Sequence, residues 1–175
     1  EVRVIDDDKN PMPDDTPGEL AIKGPGVMKA YYGDPETTAE VLVDGWLLTG
    51  DIARKDADGF FWLVDRKKDV IITGGENIYP VEIENFLQKH PDIQDVAVIG
   101  LRSLRLGEIA AAVIKTKPGK ELSKQDVDMY CQELPRFKRP RRIIFDDVPR
   151  NPTGKIEKPK LREIYAGGKS SFKVE

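Results

Sequence analysis

Apolar and polar positions change rhythm once along this chain, near residue 65. Before it, apolar residues come in short alternating runs separated by turn residues. Residues 2–5, 18–24, 46–51 and 60–64 predict strands, and the aspartate- and proline-containing stretch 6–16 predicts a loop. Asp44-Gly45 and Asp58-Gly59 supply the turns of an antiparallel arrangement. One helix interrupts it: Asp34 is a fitting N-cap and Pro35 a fitting first residue, which predicts a helix running to about Leu42. Residues 1–64 therefore read as a small antiparallel, β-barrel-like subdomain.

Beyond residue 65 the pattern turns mixed. Asp65-Arg-Lys-Lys-Asp69 is five charges in a row, followed by a β-branched strand, the paired glycines Gly74-Gly75 as a tight turn, and a helix opening at Pro80. Pro80 suits the first helical turn, where its missing N–H has no partner, and Glu82 and Glu84 put acid where the helix dipole favours it. Ile83, Phe86 and Leu87 keep helical spacing until His90-Pro91. Strands follow at 96–99 and 109–115. Ser123, with Asp126 three residues on, caps a helix that buries Val127, Tyr130, Cys131 and Leu134 and ends at Pro135. A strand at 143–145 and a helix around 161–165 complete an α+β domain whose helices cover a small sheet. The division expected is a β subdomain at 1–64, a connector or hinge at 65–68, an α+β domain at 69–166 and a frayed tail at 167–175.

Composition narrows the function classes. A net charge of −3 over 175 residues argues against a general nucleic-acid binder, whose footprint is basic. One cysteine, Cys131, and one histidine leave neither a disulfide framework nor a zinc cluster, so no metal site is expected and reducing cytoplasm is the expected setting. No apolar run reaches membrane-spanning length. The chain opens in mid-strand without an initiator methionine, which reads as part of a longer protein.

Five features carry candidate chemistry, each with a plainer reading beside it. Asp51, at the end of a predicted strand, has two oxygens that can accept from the two hydroxyls of a ribose, or it caps a turn. Arg66 offers a guanidinium fork to the same ribose or a phosphate, or is one surface arginine among many. Gly74 and Gly75 admit a ligand without a Cβ in the way, or are a plain strand-to-helix turn. In Pro149-Arg-Asn-Pro-Thr-Gly-Lys155, two prolines and a glycine present a movable lysine charge that could neutralise a carboxylate or phosphate, or is solvated. Arg136, Lys138, Arg139, Arg141 and Arg142 form a basic cluster for cofactor phosphates or nucleic acid, or a solvated face.

In order and spacing, these stretches resemble the adenylate-forming superfamily of acyl-CoA synthetases, luciferases and peptide-synthetase adenylation domains. The resemblance runs from Gly18-Glu-Leu and Gly26-Val-Met-Lys-Ala-Tyr-Tyr32 through Gly45-Trp-Leu-Leu-Thr-Gly-Asp51 and 65–84 to Thr153-Gly-Lys155. It implies that Asp51 holds the ribose hydroxyls of ATP with Arg66 in support, that Lys68 is the hinge, and that Lys155 meets the carboxylate and α-phosphate during adenylation. Gly74 and Gly75 would lie beside the pantetheine tunnel, and Arg136, Lys138 and Arg139 would be candidates for CoA phosphates. Gly-Gly-Glu-Asn-Ile-Tyr-Pro is most similar to fatty-acyl and related CoA ligases, which points to fatty acid metabolism. Ile72 stands where some branches carry lysine, and 102–106 departs from the usual Pro-Asp before Gly107-Glu108, so roles from those positions do not transfer. The family's phosphate loop and aromatic-x-Thr-Glu stretch belong to a large N-terminal domain that this chain lacks, so ATP, Mg2+, CoA and the acid are expected as ligands of a longer enzyme. Two rivals remain: an aryl or aminoacyl adenylation domain loading a carrier protein, and a non-catalytic nucleotide or nucleic-acid binding module.

Overall fold

Residues 1–166 are described by a computed structural model, and the predicted tail at 167–175 lies outside the described residues. The chain divides into two units, Glu1–Lys68 and Asp69–Glu175.

In the first unit β1 (Val2–Ile5), β2 (Gly18–Ile22), β3 (Leu42–Val43), β4 (Trp46–Lys55) and β5 (Phe61–Arg66) form one sheet, with α1 (Pro35–Val41) leading into β3. Every pairing is antiparallel. Long β4 is the spine: β2 follows one edge, while β3 and β5 share the other, giving a curled half-barrel. Gly18 lets β1 and β2 close up, since a Cβ there would stand 2.5 Å from the Ile5 carbonyl oxygen. The helix start is built as its sequence dictates, with Pro35 in the first turn and the Asp34 carboxylate accepting from Thr37 N–H at 2.9 Å. Asp44 and Gly45 both take positive φ, the combination a two-residue hairpin turn needs, and join β3 to β4. Asp65 and Arg66 belong to β5, not to a connector.

The second unit contains β6 (Ile71–Thr73), β7 (Glu76–Ile78), α2 (Pro80–Leu87), β8 (Ile93–Ser103), β9 (Gly107–Thr116), α3 (Lys124–Tyr130), β10 (Arg142–Phe145) and α4 (Lys158–Ala166). β8 and β9 make a long antiparallel hairpin, and β10 runs parallel to β9 after the α3 crossover. Alternation along the hairpin sends its residues to two cores. Val96, Val98, Ala110, Ala112 and Ile114 meet Ile83 and Leu87 of α2 and Val127 of α3. Ala97, Ile99, Ala111 and Val113 meet Leu161 of α4. Helices thus cover both faces, and burial on both sides explains why β8 and β9 are near-continuous apolar runs.

Several boundaries differ from the expectation. Gly74-Gly75 is a hairpin turn, with φ of 59° and 90°, and β7 intervenes between it and Pro80. The predicted strand at 96–99 extends over Ile93–Ser103 because β9 supplies pairing along its whole length. The helix after Ser123 stops at Tyr130, and Cys131–Glu133 continues as a 3₁₀ turn.

Candidate functional site

In the first unit the feature of interest is a bulge. The β2–β4 register sets Ala21 opposite Leu48 but Glu19 opposite Ile52, so Thr49, Gly50 and Asp51 face the single residue Leu20. Asp51 therefore lies within β4 and not at a strand end. Three things hold the bulge: Gly50 at φ +70°, the Thr49 hydroxyl donating to Leu20 O at 2.8 Å, and Gly50 N–H donating to Glu19 Oε1 at 3.1 Å. Gly50 has open space where a Cβ would go, so its requirement is the backbone angle. Across the β4–β5 ladder Asp51 stands opposite Arg66, whose Nε is 3.0 Å from Asp51 Oδ1. Arg66 thus orients one carboxylate oxygen and leaves Oδ2 without a partner among the described residues. Thr49 and Gly50, together with Glu19, Tyr31 and Lys67, line a cleft of about 480 Å³.

Lys67 and Glu19 escape the sequence reading. Glu19 is buried, and Lys67 Nζ bonds Glu19 Oε2 at 2.9 Å and Asp7 Oδ1 at 2.8 Å. The hydrogen bonds to Asp7 and Glu19 raise the Lys67 pKa, and Lys67 holds the Asp7 carboxyl below its ordinary range. With two carboxylates already on it, Lys67 is a brace for the bulge and not a free charge for phosphate. Lys68 follows it in the 3₁₀ turn Lys67–Asp69, exposed and without a side-chain partner among the described residues.

In the second unit the lysine loop is a built turn. Asn151 Oδ1 accepts from Thr153 N–H, Thr153 Oγ1 and Lys155 N–H at 3.1, 2.8 and 2.9 Å, and Gly154 takes φ +83°. Arg150 staples the loop to β8 by a two-pronged pair with Asp95 at 2.8 and 2.7 Å, which lowers the Asp95 pKa. The side chain of Lys155 is exposed and has no partner among the described residues. Helix α4, which starts three residues later, is fixed by Lys158–Glu84 at 2.9 Å and Arg162–Asp69 at 2.6 Å. The Lys158 and Glu84 side chains are only 9% and 12% exposed. Helical spacing sets Lys158 on the same stripe as buried Leu161, the one sequence signal that could have found it.

The glycine hairpin is braced from behind. Gly74 N–H donates to Leu106 O at 2.8 Å, and Glu108 Oε2 accepts Ile72 N–H at 3.1 Å. Of the basic cluster, Lys138 pairs with Glu82 at 2.6 Å and Arg139 donates to Leu134 O and Gln132 O at 2.9 and 2.8 Å. Those two are committed to the fold, while Arg136 is exposed without a partner among the described residues. Burial pushes the Cys131 thiol up to about 11, so it is an inert core group. Among the described residues no group of three or more His, Cys, Asp or Glu could hold a metal ion, and no helix is long and apolar enough to cross a membrane.

Comparison with known proteins matches residues 82–155 to a family model described as the AMP-binding enzyme C-terminal domain. The chain is 41% identical over 167 residues to an indoleacetate–CoA ligase of Aromatoleum aromaticum, covering 94% of this chain and 33% of that protein. It is 41% identical over 169 residues to a long-chain-fatty-acid–CoA ligase of Escherichia coli, covering 95% of this chain and 30% of that protein. Among solved structures, ATP-bound MatB from Rhodopseudomonas palustris superposes with a TM-score of 0.88 at 37% identity, over 94% of this chain and 34% of that one. The chain thus spans about a third of the length of the curated relatives it matches.

Proposed function

We propose, since the chain belongs to the adenylate-forming AMP-binding enzymes and is their C-terminal portion, that its parent is an acyl-CoA ligase acting on a fatty or related carboxylic acid. The acid and ATP give an acyl-adenylate and pyrophosphate, and the CoA thiol then displaces AMP to leave the thioester. The observation that carries this reading is the Asp51 bulge: a carboxylate on a residue left out of the β2–β4 pairing, one oxygen fixed by Arg66 and the other open, suited to the two hydroxyls of a ribose.

Each remaining residue takes a role of the same reaction. Lys155, on its Asn151-organised turn, neutralises charge growing on the carboxylate and α-phosphate as the acyl-adenylate forms. Lys68 is the pivot between a β subdomain and a mobile C-terminal domain, and the Gly74-Gly75 hairpin, free of side chains, passes the pantetheine arm. Arg136 keeps a place as a CoA-phosphate contact. Among the described residues no group of three or more His, Cys, Asp or Glu stands ready for the Mg2+ that accompanies ATP. The likeness to CoA ligases agrees with CoA as acyl acceptor, and a cytoplasmic setting agrees with a free nucleotide and thiol as substrates.

The test uses the full-length enzyme. Lys155→Ala should lower acid-dependent pyrophosphate exchange by roughly a hundredfold to a thousandfold, the loss of one electrostatic contact in a transition state. Conversion of preformed acyl-adenylate and CoA to thioester should persist. Equal loss in both halves would make the lysine structural and overturn its assignment.

A further inference from the structure

The two units part between Lys68 and Asp69, and the residues on either side of Lys68 are each tied down within their own unit. On the first side, Lys67 Nζ is held by Asp7 at 2.8 Å and by buried Glu19 at 2.9 Å, and Glu19 is fixed in turn by Gly50 N–H. Arg66, one residue earlier, is locked in the β5 ladder opposite Asp51. On the second side, Asp69 has a side chain only 12% exposed and takes a charge-assisted bond from Arg162 Nη2 at 2.6 Å, and α4, which carries Arg162, is anchored again through buried Lys158. Lys68 alone in this run is exposed and has no side-chain partner among the described residues. It sits in the middle of a single 3₁₀ turn, a short element with poor hydrogen-bond geometry that often connects longer ones.

We propose that the Asp7–Lys67–Glu19 bridge and the Asp69–Arg162 pair are positioning clamps that hold the chain immediately before and after Lys68, so that any rotation between the units is confined to the backbone of that one residue. A hinge is narrow only where its neighbours are fixed, because torsional freedom otherwise spreads along a charged, solvated run. The clamps make the swing reproducible. They also join the pivot to chemistry: the Glu19 carboxylate that holds Lys67 also holds Gly50, beside the ribose-binding candidate Asp51. That this rotation serves alternate half-reactions rests on the acyl-CoA ligase reading, whereas the clamping itself does not.

The chain contains its own probe, since Arg66, Lys67 and Lys68 are three successive trypsin sites and product masses tell them apart. Brief digestion of the 175-residue protein should cut after Lys68 and spare the bond after Lys67, whose side chain is occupied. Replacing the acceptors, by Asp7→Asn with Glu19→Gln, should raise cutting after Lys67 by about tenfold while other sites in the first unit stay unchanged, because cleavage tracks local opening. Glu19→Gln keeps an oxygen for Gly50 N–H, so the bulge survives. Arg162→Leu should raise cutting after Lys68 by about tenfold, and Arg162→Lys should restore most of the protection. Should Arg162→Leu unfold the unit, Asp69→Asn is the milder variant, and it should show the same rise at that bond without added cutting elsewhere. Equal cutting after Lys67 and Lys68 in the unaltered protein, or a pattern unmoved by these changes, would overturn the proposal. No outcome depends on ligase activity, so failure of the functional reading would leave the result intact and separately legible.

Discussion

Replacing Lys158 by methionine tests how the lysine loop is held in place. Lys158 Nζ lies 2.9 Å from Glu84 Oε1, both side chains are close to nine-tenths buried, and the same oxygen accepts Val98 N–H at 2.7 Å. Methionine fills much of the lysine volume but strands the Glu84 carboxylate with one hydrogen bond in a poorly solvated site. Breaking a buried pair from one side costs roughly 3–5 kcal/mol, and the retained Val98 bond sets the expectation near about 3 kcal/mol. For a domain of this size that is a fall in melting temperature of roughly 10–20 °C. Both tryptophans, Trp46 and Trp62, lie in the first unit, while three of the four α-helices among the described residues lie in the second. Tryptophan fluorescence and helical circular dichroism therefore report the two units separately, and Lys158→Met should move only the second signal. Adding Glu84→Leu should recover much of the loss, less about 1 kcal/mol for the Val98 N–H that goes without its acceptor. A loss below about 1 kcal/mol, or a double variant no better than the single, would show that burial of this pair is not what secures α4.

Two further outcomes follow from local geometry. In Gly100→Ala the new Cβ would stand 2.9 Å from Glu108 Oε1 and push that carboxylate away from Ile72 N–H, so amide exchange at Ile72 should quicken by about tenfold and stability fall by about 1–2 kcal/mol; unchanged exchange at Ile72 would refute the coupling. Burial, then the hydrogen bond to Asp146, push the Tyr165 phenol up to about 12 from 10.0, so its protonated form is favoured in the folded state and its contribution is present below pH 10 and lost as pH rises toward 12. Tyr165→Phe should flatten the decline in stability across that window in a series of denaturant titrations, and an unaltered slope would refute the assignment.

What could be read from the sequence was chemistry completed within about four residues. Asp34 capping Thr37 N–H, the Ser123–Asp126 capping box and the positive-φ pair Asp44-Gly45 all occur where their local residues demand them. What could not be read depends on partners far along the chain. Asp51 looked like a strand end because the bulge around it is set by Glu19, thirty-one residues from Gly50. β7 was hidden because three residues between a glycine pair and a proline carry no period of their own, and β6 recruits them.

Charged residues show the limit most clearly. Arg136, Lys138 and Arg139 look alike in sequence, as do Lys67 and Lys68, because a side chain's formal charge says nothing of whether the fold has already neutralised it. Glu82, fifty-six residues away, takes up Lys138, while Asp7 and Glu19 take up Lys67 from sixty and forty-eight. Folding therefore sorts the cations into those committed to internal carboxylates or carbonyls and those left over. Lys155 and Lys68, the two to which the family resemblance gives a moving or catalytic role, both fall among the unpartnered. A lysine that must meet a developing negative charge, or a pivot that must turn, cannot also be anchored, since each anchoring bond would have to break in every cycle. Pairing is dense immediately around them: Arg150–Asp95 behind Lys155, and Lys67 and Asp69 on either side of Lys68, hold the flanking residues while the two lysine side chains stay without a partner among the described residues.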